Sequence, residues 1–505
     1  MAAVAGSIET TILRATKSCG IAPKYTADMH STSVITSTLR PSLALAPQRS
    51  VAYAEVVKGI ILSAAYLSCA RLGVQTRYDG PMFAVAAALI FPQWRPCLLL
   101  LVLSVQDAPG QVVPFDYLGV AGISALMILT AALQRFGAPL TMETKEFRGL
   151  LRLGLILVLY GIFSSAVQQH FGLHQQSQTR PYAIIGCLMA MMMVTGYLAH
   201  RELSVDPLSS VRVQTVTVCI LGHIFLIAGL QVFLGPMFGA SPQGAEEMRQ
   251  LFQMMDGGAR GMPRLTGPFL SPNILASAPG LFMLIILRYK KTPNISPQFI
   301  ACFFVIGMTA AFLGGARTMF VFYLVGTAAM TWTLSPRYTI LAGVLLAPLI
   351  ILMDIPWGDL LVMMRLKDLQ SLGVRGELWQ ATLQYMDTGD WLFGYGLTHF
   401  PVFVKTVLGY YGSDPHNWIL SAAGMFGLLG LLFYAVLIRK LVRKSFSFDK
   451  KERAIAACLL LFFVGREFGN TQYLLNNNPL CCLYWISISL VFFSPAAQNA
   501  SDEAV

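Results

Sequence analysis

Residues 214–235 read QTVTVCILGHIFLIAGLQVFLG and contain no Asp, Glu, Lys or Arg. A helix of about 20 apolar residues is long enough to cross the roughly 30 Å hydrocarbon core of a bilayer. Similar apolar runs recur along nearly the whole chain of 505 residues, of which 55% are hydrophobic and only 12% are charged. Soluble globular proteins carry about 25% charged residues. The composition therefore predicts an integral membrane protein and argues against a series of soluble domains.

The apolar runs predict an all-α membrane domain over residues 51–495. They fall near residues 52–70, 81–92, 97–106, 117–134, 149–168, 182–199, 214–235, 273–287, 299–314, 318–334, 338–355, 417–438, 454–469 and 480–494. The segment from Phe91 to Pro96 contains two prolines and Arg95, which make a continuous span through it unfavourable. The count is 14 spans if this segment breaks a helical hairpin and 13 if it does not. We therefore expect about 12 to 14 transmembrane helices.

The two ends of the chain differ from this membrane domain. Residues 1–50 are rich in Ser, Thr and Ala and lack an apolar signal segment. This favours a disordered cytoplasmic tail, or translation that begins at Met29. Residues 496–505 are predicted to form a second, short cytoplasmic tail. The nine cysteines lie mostly inside apolar runs without a CxxC pair, so we expect neither a disulfide nor a metal framework.

Basic residues set the predicted orientation. Arg439–Arg453 contains seven Lys and Arg residues, and smaller basic groups lie at Arg288–Lys291, near Arg148, and at Arg201 and Arg212. Alternating spans bring these loops to one side of the membrane, which the positive-inside rule makes cytoplasmic. The net charge of +11 is thereby explained by membrane topology, and no nucleic-acid partner is implied.

Two long loops, 236–272 and 356–416, then face the opposite side. The second contains several Trp, Phe and Tyr residues, a composition too aromatic for a disordered segment. We predict that it forms an ordered cap with a helix near Arg375–Asp387.

Four polar segments lie on this predicted outer side. They are RLTGPFLSPNILA at 264–276, GGART at 314–318, RGELW at 375–379 followed by LFGYG at 392–396, and DPHNW at 414–418 before a Gly-rich span. Taken singly, an arginine at the end of a span is more often an interfacial anchor. A lone histidine in an outer loop is more often solvated, and Gly424, Gly427 and Gly430 fit close helix packing. Together, however, these segments form a pattern.

The residue types in this pattern suit a phosphorylated sugar substrate. Arg264, Arg317 and Arg375 carry guanidinium groups that bind phosphate oxygens bidentately and stay charged when half-buried. A helix that begins just after His416 would add backbone N–H donors for the same anion. The His416 imidazole can accept a proton from a sugar hydroxyl. Aromatic side chains in the cap offer flat faces for sugar rings.

The ordered set Arg264-x-x-Gly-x-Phe-x-x-Pro-Asn273, Gly-Ala-Arg317, Arg375-x-x-x-Trp379 with Gly-x-Gly, and His416-Asn417 resembles the O-antigen ligase and Wzy-type O-antigen polymerase superfamily. The resemblance covers about 264–435. It implies a GT-C-like membrane glycosyltransferase with a large periplasmic loop over its site.

The family resemblance also implies an activity and roles for individual residues. Such proteins transfer a glycan from an undecaprenyl-diphosphate carrier to an acceptor hydroxyl at the periplasmic face of the bacterial inner membrane, with inversion and without metal or other cofactor. Arg317 and Arg375 would neutralise the diphosphate, and His416 would activate or orient the acceptor. The remaining substrate-binding residues would be Arg264, Asn273, Trp379 and Asn417. The implied partners are a lipid-linked oligosaccharide donor, a glycan or lipid acceptor, the membrane, a chain-length regulator and a flippase.

The chain departs from the family pattern at two places. Ser421-Ala422-Ala423 stands where an acidic residue often follows the His-Asn pair, and Ala316 stands where a serine often precedes the arginine. An acidic partner for His416 would then be Asp414 or Glu377.

Several functions are compatible with these residues. Within glycan transfer we favour a repeat-unit polymerase, with a ligase to lipid A-core as the alternative. A protein O-oligosaccharyltransferase usually has a larger C-terminal outer domain. A flippase or secondary transporter is the rival from another class, although such proteins commonly have internal repeats and ionisable residues near the midplane. A non-catalytic assembly partner would tolerate replacement of His416.

Overall fold

A computed structural model of the chain describes residues 41–72, 79–105, 116–134, 144–170, 182–205, 208–235, 265–269, 271–290, 294–337, 339–340, 374–397, 399–406, 417–447, 449–466, 475 and 480–492. The chain divides into two compact units, Met1–Tyr53 and Ala54–Val505. All contacts discussed below lie within the second unit.

Helices make up the regular structure of the described residues. They are α1 (Pro41–Leu72), α2 (Asp79–Ile90), α3 (Arg95–Leu103), α4 (Asp116–Gln134), α5 (Thr144–His170), α6 (Tyr182–Val205), α7 (Ser209–Leu234), α8 (Pro272–Tyr289), α9 (Pro297–Gly314), α10 (Arg317–Leu334), α11 (Val374–Tyr385), α12 (Thr388–Phe393), α13 (His399–Thr406), α14 (Trp418–Ser445), α15 (Lys450–Leu461) and α16 (Leu480–Phe492). A 3-10 turn at Pro92–Trp94 precedes α3, and a π-helical turn at Phe462–Arg466 follows α15. Helix α1 begins before the predicted start of the membrane domain at residue 51.

Seven helices within the described ranges are long and apolar enough to cross a membrane, namely α1, α5, α6, α7, α8, α9 and α14. Shorter apolar helices are formed by residues of α2, α4, α10 and α16. These findings confirm the prediction of an all-helical protein with several membrane spans. The total of 12 to 14 spans stays a prediction, because the apolar run at 338–355 lies almost entirely outside the described residues.

The predicted break between two short apolar helices is present. Helix α2 ends at Ile90, Phe91 leaves helical geometry at φ −121° and ψ 72°, and α3 starts at Arg95. The Arg95 guanidinium donates to the Ala88 carbonyl (3.0 Å) and to the Thr130 hydroxyl (2.6 Å). These bonds give a costly charge two partners in the protein. Helix α3 is buried from Pro96 to Leu103, so protein surrounds this short helix.

A buried ion pair joins α1 to α7 at a place where the sequence predicted a loop arginine. Arg212 is buried in the first turn of α7 and donates through Nε to the carboxylate of Glu55. Lys58 contacts the other oxygen of Glu55 (3.0 Å), and the Arg212 guanidinium lies 5.5 Å from the centre of a Trp94 ring. Arg212 therefore lies in the first turn of α7 and not in the preceding loop, whereas the cytoplasmic side predicted for this end of the helix stays a prediction.

Helix α8 lies at the centre of the bundle and is buried along most of its length. Pro279 lies inside this helix and has no N–H to donate, which interrupts the helical hydrogen-bond ladder. The Tyr323 hydroxyl from α10 repairs the ladder nearby, since it donates to the Ala276 carbonyl (2.8 Å) and accepts from the Gly280 N–H (3.0 Å). A neighbouring side chain thus satisfies backbone groups that a membrane would leave without a partner.

Helix α14 reverses its direction at Gly427, where φ is 61° and ψ is −146°. The ring centroids of Trp418 and Tyr434 lie 4.6 Å apart, whereas a straight helix would separate these positions by about 24 Å along its axis. Residues 418–426, which we term the half-helix, therefore fold back beside residues 428–445, the outgoing helix. The predicted continuous span at 417–438 is corrected accordingly. The outgoing helix supplies the length needed to cross a membrane, at about 27 Å.

Candidate functional site

The first two predicted segments lie against one another. The Leu265 N–H donates to the Leu313 carbonyl at the end of α9 (2.9 Å). A Cβ atom on Gly314 would lie 2.5 Å from the Pro272 carbonyl oxygen, so the start of α8 approaches the end of α9 too closely for a side chain there. The turn after Arg264 and the turn before Arg317 are consequently neighbours.

A buried glutamine holds the turn at residues 265–269 in place. Gln231 of α7 accepts from the Gly267 N–H (2.8 Å), and its amide nitrogen donates to the Gly267 carbonyl (3.2 Å) and the Thr266 hydroxyl (3.3 Å). The side chain is 1% exposed. Bonds through both ends of the amide fix the turn that directly follows Arg264, so Gln231 is a positioning residue for this segment.

The polar residues named for this part of the site are described to different degrees. Asn273 is half-buried in the first turn of α8, and its N–H donates to the Ser271 side chain (3.3 Å). Arg317 begins α10, but its side chain lies outside the described residues. Arg264 lies outside them entirely. The backbone is therefore defined at Arg317 and in the turn that follows Arg264, whereas neither arginine side chain is described.

The third and fourth segments also meet, through backbone contacts. The Tyr395 N–H donates to the Gly424 carbonyl (2.7 Å), and the Gly396 N–H donates to the Met425 carbonyl (3.2 Å). These carbonyls belong to the last turn of the half-helix, where no helical partner is available. A Cβ atom on Gly427 would lie 2.3 Å from the Leu392 carbonyl oxygen. The glycines of both segments thus allow a close approach of a loop to a helix reversal.

Side chains of helix α5 form hydrogen bonds to the backbone of the same loop. The Tyr160 hydroxyl donates to the Phe393 carbonyl (2.7 Å), and the Ser164 hydroxyl donates to the Gly394 carbonyl (3.3 Å). The Leu397 N–H donates to the Ser165 hydroxyl (2.8 Å). Residues 393–397, which we term the glycine loop, therefore have partners from two helices along the backbone.

A polar network and an aromatic cluster flank the glycine loop. Asp387 and Asp390 form a reciprocal capping box at the start of α12, and the Tyr395 hydroxyl donates to Asp390 (2.6 Å). Burial, followed by this hydrogen bond and the negative charges of both aspartates, raises the pKa of Tyr395 well above its ordinary value. The phenol therefore remains a donor at neutral pH. The Tyr395 ring stacks on Phe403 at 4.8 Å, and Phe400 packs within the same cluster.

Asn417 is the N-cap residue of the half-helix, and its side chain accepts hydrogen bonds from two backbone N–H groups in the first turn. It is buried, and its side-chain oxygen accepts from the N–H groups of Ile419 (2.9 Å) and Leu420 (3.3 Å). Asn417 thus already bonds two of the backbone N–H groups at this helix start, and the predicted use of the helix start by a substrate anion stays a prediction. The adjacent His416 lies outside the described residues.

Helix α11 matches the predicted helix near Arg375–Asp387. Leu378 and Thr382 are buried, and Trp379 is half-buried. Position 375 shares this helix face at i, i+3, i+4 and i+7 spacing, although its side chain lies outside the described residues. Of the two acidic candidates, Glu377 is exposed and Asp414 lies outside the described residues.

Several residues of this region were not identified from sequence. Gln231, Tyr323 and Ser165 each lie in an apolar helix. A lone polar residue in such a helix predicts that its side chain faces the protein interior. The sequence does not indicate which distant backbone group that side chain bonds. His399 is a second imidazole near the glycine loop and is 2% exposed at the start of α13. Its position immediately after the Gly-x-Gly pattern was the available signal.

No protein-family model matches the chain, and searches of curated proteins and of solved structures also give no match. The class of protein is therefore defined by the fold and by the candidate site. The chain is a helical membrane protein with several candidate spans, in which two pairs of sequence-distant polar segments are joined and one helix folds back on itself at Gly427.

Proposed function

We propose that the chain transfers a glycan from an undecaprenyl-diphosphate-linked oligosaccharide to an acceptor hydroxyl, as a polymerase of O-antigen or exopolysaccharide repeat units. The reaction is a metal-independent inverting glycosyl transfer with a GT-C-like arrangement of helices. It takes place at the periplasmic face of the bacterial inner membrane.

The observation that supports this proposal most is the pairing of the four segments. The turn after Arg264 is bonded to the end of α9, which leads to Arg317. The glycine loop is bonded to the half-helix that follows His416. Segments that lie roughly 50 and 30 residues apart in sequence are thus held by backbone hydrogen bonds. Rigid backbones of this kind position charged side chains for group transfer.

The proposed mechanism assigns each charged group one role. His416 accepts the proton of the acceptor hydroxyl as its oxygen attacks the anomeric carbon of the donor. The bond between that carbon and the diphosphate oxygen breaks, and undecaprenyl diphosphate leaves with the bonding electrons. Arg317 and Arg375 stabilise the negative charge on this leaving group. Arg264, Asn273, Trp379 and Asn417 bind and orient the donor and acceptor.

The proposal is tested with purified protein in lipid nanodiscs, incubated with a matched undecaprenyl-diphosphate-linked repeat unit. A ladder of glycan products on a gel, formed without a second acceptor, is the expected result. Arg375→Ala and His416→Ala should each reduce product formation at least about 100-fold, the size of effect typical for a lost acid–base or charge-stabilising group. Normal ladders in both variants would contradict the assigned roles.

Matched substitutions elsewhere separate catalysis from folding. Arg337→Ala removes an exposed arginine after α10, and His170→Ala removes an exposed histidine at the end of α5. Both variants should retain the ladder. His399→Ala tests whether the second, buried imidazole contributes to the same step, with stability in detergent measured alongside to detect loss of packing.

Two alternatives give different products in the same experiment. A ligase would form product only when lipid A-core is added. A flippase or secondary transporter is favoured by one specific feature, because broken helices commonly line substrate paths in transporters. It would move a labelled lipid-linked oligosaccharide across a sealed vesicle without forming a new glycosidic bond.

A further inference from the structure

The corner where α12 meets the outgoing helix exposes four large apolar side chains. Phe393 is 64% exposed and Leu392 is 47% exposed, and Leu428 and Leu429 are exposed beside them. Leu392 and Phe393 are adjacent to Gly427, where a Cβ atom would lie within 3 Å of backbone atoms of both residues. We term these four residues the Phe393 corner. Such a cluster is unusual for an outer cap that stands in water.

We propose that the Phe393 corner is immersed in the lipid acyl chains of the bilayer, so that α12 descends into the membrane. The glycine loop then lies at membrane depth. This inference concerns the seating of the protein in lipid and does not depend on the proposed glycan transfer.

The first argument is that the corner adjoins two helices that are long and apolar enough to cross a membrane. Leu428 and Leu429 begin the outgoing helix, which supplies the membrane-crossing length of α14. On the other side, Tyr160 bonds the Phe393 carbonyl from α5, another candidate span. Leu159 and Phe163 of α5 are exposed apolar residues close to this bond in sequence. The corner therefore bridges the apolar surfaces of two spans.

The second argument is the polarity gradient along α12. Its first turn carries Asp387 and Asp390 in the capping box, and Asp387 and Gly389 are exposed. Its last residues are the exposed Leu392 and Phe393. A helix of six residues is about 9 Å long, comparable to the depth at which amphipathic segments enter a bilayer interface. Charges at one end and an aromatic ring at the other suit a helix that enters lipid with its C-terminal end.

The third argument is the hydrogen bonding of the adjoining irregular backbone, of which five groups have partners in the protein. The Gly394 N–H donates to the Asp390 carbonyl (2.8 Å), and the next two N–H groups bond the half-helix. The carbonyls of Phe393 and Gly394 accept from Tyr160 and Ser164. A loop in water can leave such groups to solvent, whereas irregular backbone at membrane depth requires protein partners. These five groups of the glycine loop meet that requirement.

The test uses a fluorescent probe on a single introduced cysteine in nanodiscs. Phe393→Cys and Leu392→Cys report on the corner, and Gly389→Cys reports on the opposite end of the same helix. Cys19 of the predicted N-terminal tail and the four described cysteines that are not buried, Cys69, Cys187, Cys219 and Cys302, are first replaced by serine. Quenching is compared between nitroxide attached to lipid acyl chains and iodide in the aqueous phase.

The expected result is that acyl-chain nitroxide quenches the probes at 392 and 393 at least about twice as strongly as the probe at 389, with the reverse order for iodide. Strong iodide quenching at 393 would overturn the proposal, because the corner would then face water. Protection of 393 from both quenchers, or a disulfide between two copies through Phe393→Cys, would also overturn it by showing that protein covers the corner. None of these readouts measures glycan transfer, so failure here is distinct from failure of the proposed function.

Discussion

Single polar side chains inside the bundle determine how its irregular backbone is satisfied. Tyr323 repairs the ladder beside Pro279, Gln231 holds the turn after Arg264, and Ser165 bonds the glycine loop. In each case one side chain bonds backbone groups from a distant part of the chain. Such residues set the backbone geometry of the candidate site although none of them belongs to its predicted polar segments.

Replacing Tyr323 with phenylalanine tests this role. The Tyr323→Phe variant keeps the ring but leaves the Ala276 carbonyl and the Gly280 N–H without the bridging hydroxyl. We expect a loss of about 1–3 kcal/mol of stability, the usual cost of a buried group deprived of its partner. The measurement is thermal unfolding in detergent. Tyr385→Phe is the control, since Tyr385 is exposed, and equal midpoints for the two variants would argue against the bridge.

At the scale of elements, proline breaks are predictable and the reversal in α14 is not. The break at Phe91–Pro96 follows from local chemistry, because proline acts on its own helix. The reversal lies within a continuous apolar run, and its glycine series also fits ordinary helix packing. The deciding contact comes from the glycine loop, about 30 residues earlier. The small residues Ser421, Ala422 and Ala423, which depart from the family pattern, are buried in the half-helix.

Gly427→Ala tests whether the reversal depends on glycine. A side chain at φ 61° and ψ −146° is strained by about 1–3 kcal/mol, and a Cβ would also collide with the Leu392 carbonyl. We expect a marked loss of thermal stability and of the folded yield. Gly229→Ala in α7 is the matched control, because a Cβ there meets no atom within 4 Å. That variant should be neutral or slightly stabilising.

The start of α15 gives a prediction for pH. Burial, followed by the positive charges of Arg288 and Lys290, lowers the pKa of Lys451 to about 8, against about 10.4 in an unfolded chain. Between these values the unfolded chain holds a proton that the folded chain has lost. The free energy of unfolding contributed by Lys451 therefore rises as pH increases through this window.

The measurement compares wild type with Lys451→Met by thermal unfolding between about pH 7 and about pH 9.5. The difference in midpoint, wild type minus variant, should increase with pH. A constant difference would show that the Lys451 amine does not titrate in this range. Titration of other groups is common to both proteins and cancels in the comparison.

At the scale of the whole molecule, the membrane class follows from composition, whereas the details of the site do not. Hydrophobic transfer acts on every apolar run, so the apolar helices of the described residues could be predicted, apart from the reversal in α14. The arrangement of polar segments depends on contacts between distant residues, and sequence order alone predicted only that they share one face. Arg212 illustrates this limit of sequence-based prediction. Its charge suggested a loop, whereas its bond to Glu55 buries it in the first turn of α7.

The orientation of the molecule is tested by cysteine labelling in intact cells. Phe446 is exposed in the basic segment Arg439–Arg453, and Gly389 is exposed at the start of α12. In a background with Cys19, Cys69, Cys187, Cys219 and Cys302 replaced by serine, an impermeant maleimide should label Gly389→Cys from outside. It should label Phe446→Cys only after permeabilisation. The opposite pattern would reverse the predicted sidedness.

The half-helix also constrains how the protein is made. Nine residues are too few to be inserted as a membrane-crossing segment, so residues 418–426 need an already formed protein surface to pack against. The glycine loop that bonds them leaves the ribosome earlier, while the outgoing helix that they fold against leaves later. The half-helix therefore docks only after residues 428–445 have entered the membrane, which makes completion of this site a late event in biogenesis.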